Sequence, residues 1–263
     1  MRVPLAFPLT LQAAPCASEI GDILSSVAAE YDLCGFPVTI QAAPGTYTKP
    51  VALSGQLVGQ TSGAGQIKII GDINTPSNCV IAPTNGDCVM AANNAAFTIT
   101  GFRGDLENNS MPGEGILTAG GDAYIAVGFF EFGNVPATWV NDITVNYGGQ
   151  VHVMPGKLAW KAAAGAQKQC MFDVGVGGKM IFDTNCGQAP LLLEADNVPS
   201  YNSGIFRADM GSIILGGAAY QGLVHGKQWW VDGYSVFVTY TPFGQMFGDV
   251  AGYTGPAGQV RQT

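Results

Sequence analysis

Charge is scarce in this chain. Of its 263 residues only 11% are Asp, Glu, Lys or Arg, against roughly a quarter in an average globular protein. Basic residues are fewest, with 11 Lys plus Arg against 19 Asp plus Glu, and they form no cluster. A nucleic-acid-binding surface needs such a cluster to meet phosphates, so nucleic acid is excluded as a partner. The acidic balance also disfavours an anionic membrane surface. Histidine occurs twice, at His152 and His225, and no CxxC is present. A zinc site therefore lacks its usual donors, and neither a metal nor another cofactor is expected. No apolar run approaches the eighteen or so residues of a membrane-spanning helix.

Glycine, by contrast, is abundant, with 37 residues. It follows no G-X-Y period, so it marks turns between short strands. Apolar residues make up 47%, enough for a sizeable core and too many for disorder. The six cysteines, at 16, 34, 79, 88, 170 and 186, read as free thiols. Cys79 and Cys88 sit in the apolar runs "CVIA" and "CVMA", where cysteine behaves as a small hydrophobe.

Four domain segments are expected. Residues 1–17 contain three prolines and one Arg. They have some features of a secretory leader, but prolines break the apolar run. They read as an extended N-terminal docking arm. Residues 18–31, "SEIGDILSSVAAEY", form the one clear helix, with Ser18 as N-cap. Ile20, Ile23, Leu24, Val27 and Tyr31 fall on one face. Residues 32–240 then read as short β-strands rich in Val, Ile, Thr and Phe, parted by Gly, Asn, Asp or Pro. "GKLAWKAAAGAQKQ" (156–169) reads as a loop. Residues 241–263 read as a C-terminal cap.

One phrase recurs, a strand, a glycine-bearing turn and another strand. It appears as "ITVNYGGQVHVMPG" (143–156), "MFDVGVGGKMIFDT" (171–184), "IFRADMGSIILGG" (205–217) and "WWVDGYSVFVTY" (229–240). Aligning Phe172 with Phe206 and Phe206 with Trp230 gives periods in the range typical of stacked repeats. A unit of this size cannot bury its apolar face alone, so units stack into one core. The expected fold class is all-β, a β-solenoid of stacked coils.

The helix followed by "VTIQAAPGTYT", "IKIIGD", "CVIA" and "FTITGF" resembles the start of the pectate-lyase-like right-handed parallel β-helix superfamily. In that superfamily an N-terminal helix caps the first coil and a P-G-x-Y turn follows, here Pro44-Gly45-Thr46-Tyr47. The later repeats resemble coils of bacteriophage tail spikes and other virion appendages. This resemblance implies a homotrimer, assembly in the host cytoplasm, docking to other virion proteins through the arm, and recognition of a host-surface polysaccharide. The sequence motifs of the family's pectate lyases, polygalacturonases and pectin methylesterases are missing.

Two alternatives stay open. One is a polysaccharide-degrading enzyme of the same fold, since two carboxylates on neighbouring coils suffice for glycosidic cleavage. Asp173, Asp209 and Asp232 lie near the same corner of the repeat and are the catalytic candidates, although each also suits a turn beside glycine. Asp183, Glu194 and Asp196 make a second acidic group. The other alternative is a secreted, extracellular surface or adhesion protein, which disulfides between residues 16 and 34, 79 and 88, or 170 and 186 would favour. Trp229, Trp230 and Tyr234 are the glycan-binding candidates, because exposed aromatics stack on sugar rings. Adjacent tryptophans on a strand face opposite ways, so one belongs to the core. His152 and His225 are expected to be structural.

Overall fold

The computed structural model describes residues 2–135, 140–161, 163, 167–183, 191–197 and 199–263. The fold is all-β, built on two long sheets of 15 and 9 strands. Strand pairings within both are parallel.

The pairings resolve into three ladders. The first runs through Leu9–Ala13, Val38–Ala42, Ile67–Ile70, Ala96–Gly104, Tyr124–Phe132, Gln150–Val153, Lys179–Phe182, Ser212–Leu215, Val236–Thr239 and Gln259–Gln262. The second holds Gly45–Tyr47, Cys79–Ile81, the far ends of the two long strands, Lys157–Trp160, Leu191–Ala195 and Ala218–Gly222. The third holds Val51–Ser54, Val89–Ala92, Gly115–Ala119, Asn141–Val145, Gln167–Val174, Ser200–Asp209, Trp229–Asp232 and Tyr253–Thr254. From Val38 to Asp232 the chain visits first, second and third ladder in that order each time.

Register explains why short strands suffice. In the first ladder Ile40, Ile69, Ile99, Val127, Val153, Phe182 and Leu215 lie one above another, all buried. In the third, Val51, Val89, Leu117, Ile143, Phe172 and Phe206 do the same. Each short strand contributes only a few such residues, worth about 1.5–3 kcal/mol apiece on full burial. The column, not the strand, makes the core. Phe172 and Phe206 stack with ring centroids 4.9 Å apart, and Phe237 continues the pile at 5.3 Å.

The corner from third to first ladder is where the recurring glycine-bearing turns sit. Asp122, Tyr147, Gly177 and Met210 there have positive φ. Successive turns bond to one another, from Asp122 N to Tyr147 O, Gly148 N to Val176 O and Gly177 N to Met210 O. At Gly101 the long strand Ala96–Gly104 bends from first to second ladder with φ +79°, and a Cβ there would lie 2.8 Å from the backbone of Gly71, Asp72 and Ile73, just past the neighbouring strand Ile67–Ile70.

Several expectations are corrected. The alignment of Phe172 with Phe206 holds, but Phe206 faces Trp229 rather than Trp230. The helix spans Ile20–Glu30, and Glu19 rather than Ser18 is its N-cap, without a side-chain cap bond. Ser18 Oγ instead accepts from Ala14 N at 3.2 Å, and the Glu19 carboxylate accepts from Cys16 N and Thr48 N. The helix buries Ile20, Leu24 and Val27, while Tyr31 begins a short strand. Stacked strands extend outside 32–240, because Leu9–Ala13 and Gln259–Gln262 join the first ladder. Segment 156–169 is not a plain loop. It contains the strand Lys157–Trp160, whose Leu158 and Trp160 are buried, and the start of Gln167–Val174. Here ladder pairing overrides the weak local signal.

Cys79, Cys88 and Cys170 are buried thiols, and Cys16 and Cys34 are exposed. None of these five is joined to another. Cys186 lies outside the described residues.

Candidate functional site

The outer face of the third ladder carries a polar groove. Strand alternation points Phe172, Phe206 and Ala208 inward, so Asp173, Arg207 and Asp209 point out. Register then sets neighbours. Asp173 faces Arg207, Arg207 faces Trp230, and Asp209 faces Asp232.

Two hollows adjoin along this face and share Gln169. One, of about 320 Å³, is lined by Gln169, Ser203, Arg207, Asp209, Trp230 and Asp232. The other, of about 260 Å³, is lined by Glu114, Asn141, Thr144, Asn146, Gln169 and Asp173. Between them Asp173 Oδ2 contacts Arg207 Nη1 at 3.4 Å and accepts from Asn141 Nδ2 at 3.0 Å. Asn141 is fixed in turn, since its Oδ1 accepts from Cys170 N and its Nδ2 also reaches Thr144 Oγ1. Asn146 Nδ2 donates to Glu114 Oε2 at 2.9 Å. Burial raises the Asp173 carboxyl above its ordinary range, against the pull of Arg207. The groove thus sets four carboxylates, those of Glu114, Asp173, Asp209 and Asp232, beside one guanidinium and several amides.

The three aromatic candidates separate. Trp230 lines the groove, with Lys227 Nζ 4.3 Å above its ring and Tyr253 at 5.1 Å on centroids. Trp229 packs against Phe243 at 4.6 Å and Phe237 at 6.3 Å. Tyr234 stands at the corner, 88% exposed, and does not line the groove. The second acidic group is also split. Glu194 pairs with Lys157 at 2.7 Å and Lys161 at 2.8 Å, and Asp196 with Lys161. Burial opposes ionisation of Glu194, but the two lysines hold its carboxyl below the ordinary range.

Sequence reasoning left both histidines without partners, but His225 has one and His152 has two. His225 Nδ1 meets Asp249 Oδ2 at 2.6 Å. His152 Nδ1 meets the Tyr124 hydroxyl at 2.7 Å, and its Nε2 meets Asp183 Oδ2 at 3.4 Å. Tyr124, His152 and Asp183 line a hollow of about 500 Å³ on the first ladder, with Ala126, Met154 and Pro155. Ala126 faces His152 on the next strand, so a small side chain floors the hollow. No local motif links residues 124, 152 and 183. Only the ladder register brings them together.

Among the described residues no group of three or more His, Cys, Asp or Glu is placed to hold a metal ion. Comparison with protein-family models, with curated proteins and with solved structures gives no match.

Proposed function

We propose that the chain is a right-handed parallel β-solenoid of the pectate-lyase-like kind, a rigid appendage of a bacteriophage particle whose third-ladder groove binds an extended glycan. The observation that carries this reading is Trp230 lying in one groove with Asp209, Asp232, Arg207 and Gln169. An aromatic face for the sugar ring and planar polar groups for its hydroxyls are what saccharide recognition requires. Strands of fixed register hold these groups rigidly, which lowers the entropic cost of binding.

Two surfaces support the appendage. Tyr147, Val176, Met210 and Tyr234 form an exposed apolar ridge along one corner, a surface that trimer contacts would cover. Near the N-terminus Val3 and Phe7 are exposed, an apolar element with which the arm would dock to other virion proteins. In this reading the protein assembles in the host cytoplasm and works on the virion.

A polysaccharide-degrading enzyme is the second reading. The facing carboxylates of Asp209 and Asp232 favour it, because a pair of acids across a sugar chain is the minimum for acid–base cleavage.

The test is binding to an array of bacterial surface polysaccharides, with Trp230→Ala alongside. Saturable binding that the variant loses supports the reading. Binding unaffected by the variant, or none across the array, would overturn the groove assignment. Release of oligosaccharides from a bound polymer would select the enzyme.

A further inference from the structure

Among the described residues the core holds one fully buried charged pair that the groove does not use. Asp142, on Asn141–Val145, and Lys168, on Gln167–Val174, are both fully buried. Lys168 Nζ lies 2.5 Å from Asp142 Oδ1 and also donates to the Gly133 carbonyl at 2.9 Å. The other carboxylate oxygen, Oδ2, accepts from Trp160 Nε1 at 2.9 Å and from the Tyr201 hydroxyl at 2.5 Å. Trp160 stacks on Phe132 at 5.1 Å and meets Phe172 and Phe247 edge-on. The surroundings are therefore aromatic. A register shift between Lys168 and Cys170 marks an irregularity in this strand, the kind of feature that re-aims a side chain.

Such a pair is costly, since each charge loses its hydration. Burial raises the Asp142 carboxyl, and Lys168 opposes the rise. Passing one proton from the ammonium to the carboxylate gives a neutral amine facing a neutral acid. The amine nitrogen is then a nucleophile held against a carboxyl carbon. Two donors already sit on the oxygen where negative charge develops when that carbon is attacked, which is the layout of an oxyanion hole.

We propose that Lys168 and Asp142 condense spontaneously to an isopeptide bond that ties neighbouring strands of the third ladder. Lys168 Nζ adds to Asp142 Cγ, and charge builds on Oδ2 between Trp160 and Tyr201. The second N–H proton moves to the protonated Oδ1. The Cγ–Oδ1 bond breaks and Oδ1 leaves as water. One N–C bond forms, one C–O bond breaks, and no oxidant or cofactor takes part. Tyr201 and Trp160 are positioning residues that act through Asp142.

The experiment is the intact mass of the full-length folded chain, denatured only for measurement, with peptide mapping. The expected mass is one water below that of the sequence, with a branched peptide joining residues 142 and 168. Lys168→Arg should keep a buried cation and restore the full sequence mass. Tyr201→Phe should slow conversion in freshly made protein by about 100-fold, the usual effect of losing one oxyanion donor. The wild-type result decides even if a variant does not fold. A full-length mass equal to the sequence, or a water loss mapped elsewhere, overturns the proposal.

Discussion

Asp209 and Asp232 lie directly opposite each other on neighbouring parallel strands, and both line the groove that holds Trp230. Strand spacing of about 4.8 Å brings their carboxylates close. In the binding reading they receive sugar hydroxyls. Asp232→Asn keeps an acceptor and removes the charge, so it should weaken glycan binding less than Trp230→Ala does. Titration calorimetry on one recognised polysaccharide measures both. Equal losses would mean that charge, not the aromatic face, dominates.

Stability should be concentrated in the columns. Phe206 is buried between Phe172 and Phe237, and faces Trp229 on the next strand. Phe206→Ala should cost about 3–5 kcal/mol, measured by denaturant unfolding. A loss near that of a surface substitution would contradict the stacked core.

Asp173 gives a pH signature. Burial raises its folded-state pKa, with Arg207 opposing. The stability it contributes is then full below the unfolded carboxylate value of about 3.9. It is lost as pH rises through the higher folded value. Glu194 acts oppositely, because its folded pKa is lowered by Lys157 and Lys161. Its stability is present above the unfolded value and lost as pH falls through the folded one. Melting temperature followed across this window should decline less toward neutral pH in Asp173→Asn than in the wild type. Parallel curves would remove Asp173 as a source of the dependence.

The ridge of Tyr147, Val176, Met210 and Tyr234 predicts an oligomer. Light scattering should give three times the mass of one 27.3 kDa chain. Replacing Met210 and Tyr234 by Ser should shift the mass toward a monomer. A monomeric wild type would remove the trimer and favour the enzyme or secreted readings.

The architecture was legible because its signal is periodic. Phe172 and Phe206 occupy equal places in their phrases, and they do pair. The next step slipped by one residue, to Trp229, which stands three residues before Asp232 as Phe206 stands three before Asp209. That slip matters, since it turns Trp230 outward to the groove. The strand Lys157–Trp160 was illegible for another reason. It has little intrinsic preference and forms because Phe130–Phe132 and Leu192–Ala195 flank it. The site was visible as candidate Asp residues but not as a groove. Arg207, Asn141 and Gln169 become neighbours of those Asp residues only through register. The Tyr124–His152–Asp183 cluster left no local trace at all.

Hydrogen exchange with and without a bound polysaccharide tests the central claim most directly. The account predicts slowed exchange in Ser200–Asp209 and Trp229–Asp232, with the first ladder unchanged. Protection confined to the first-ladder hollow around His152, with none in those two strands, would contradict it.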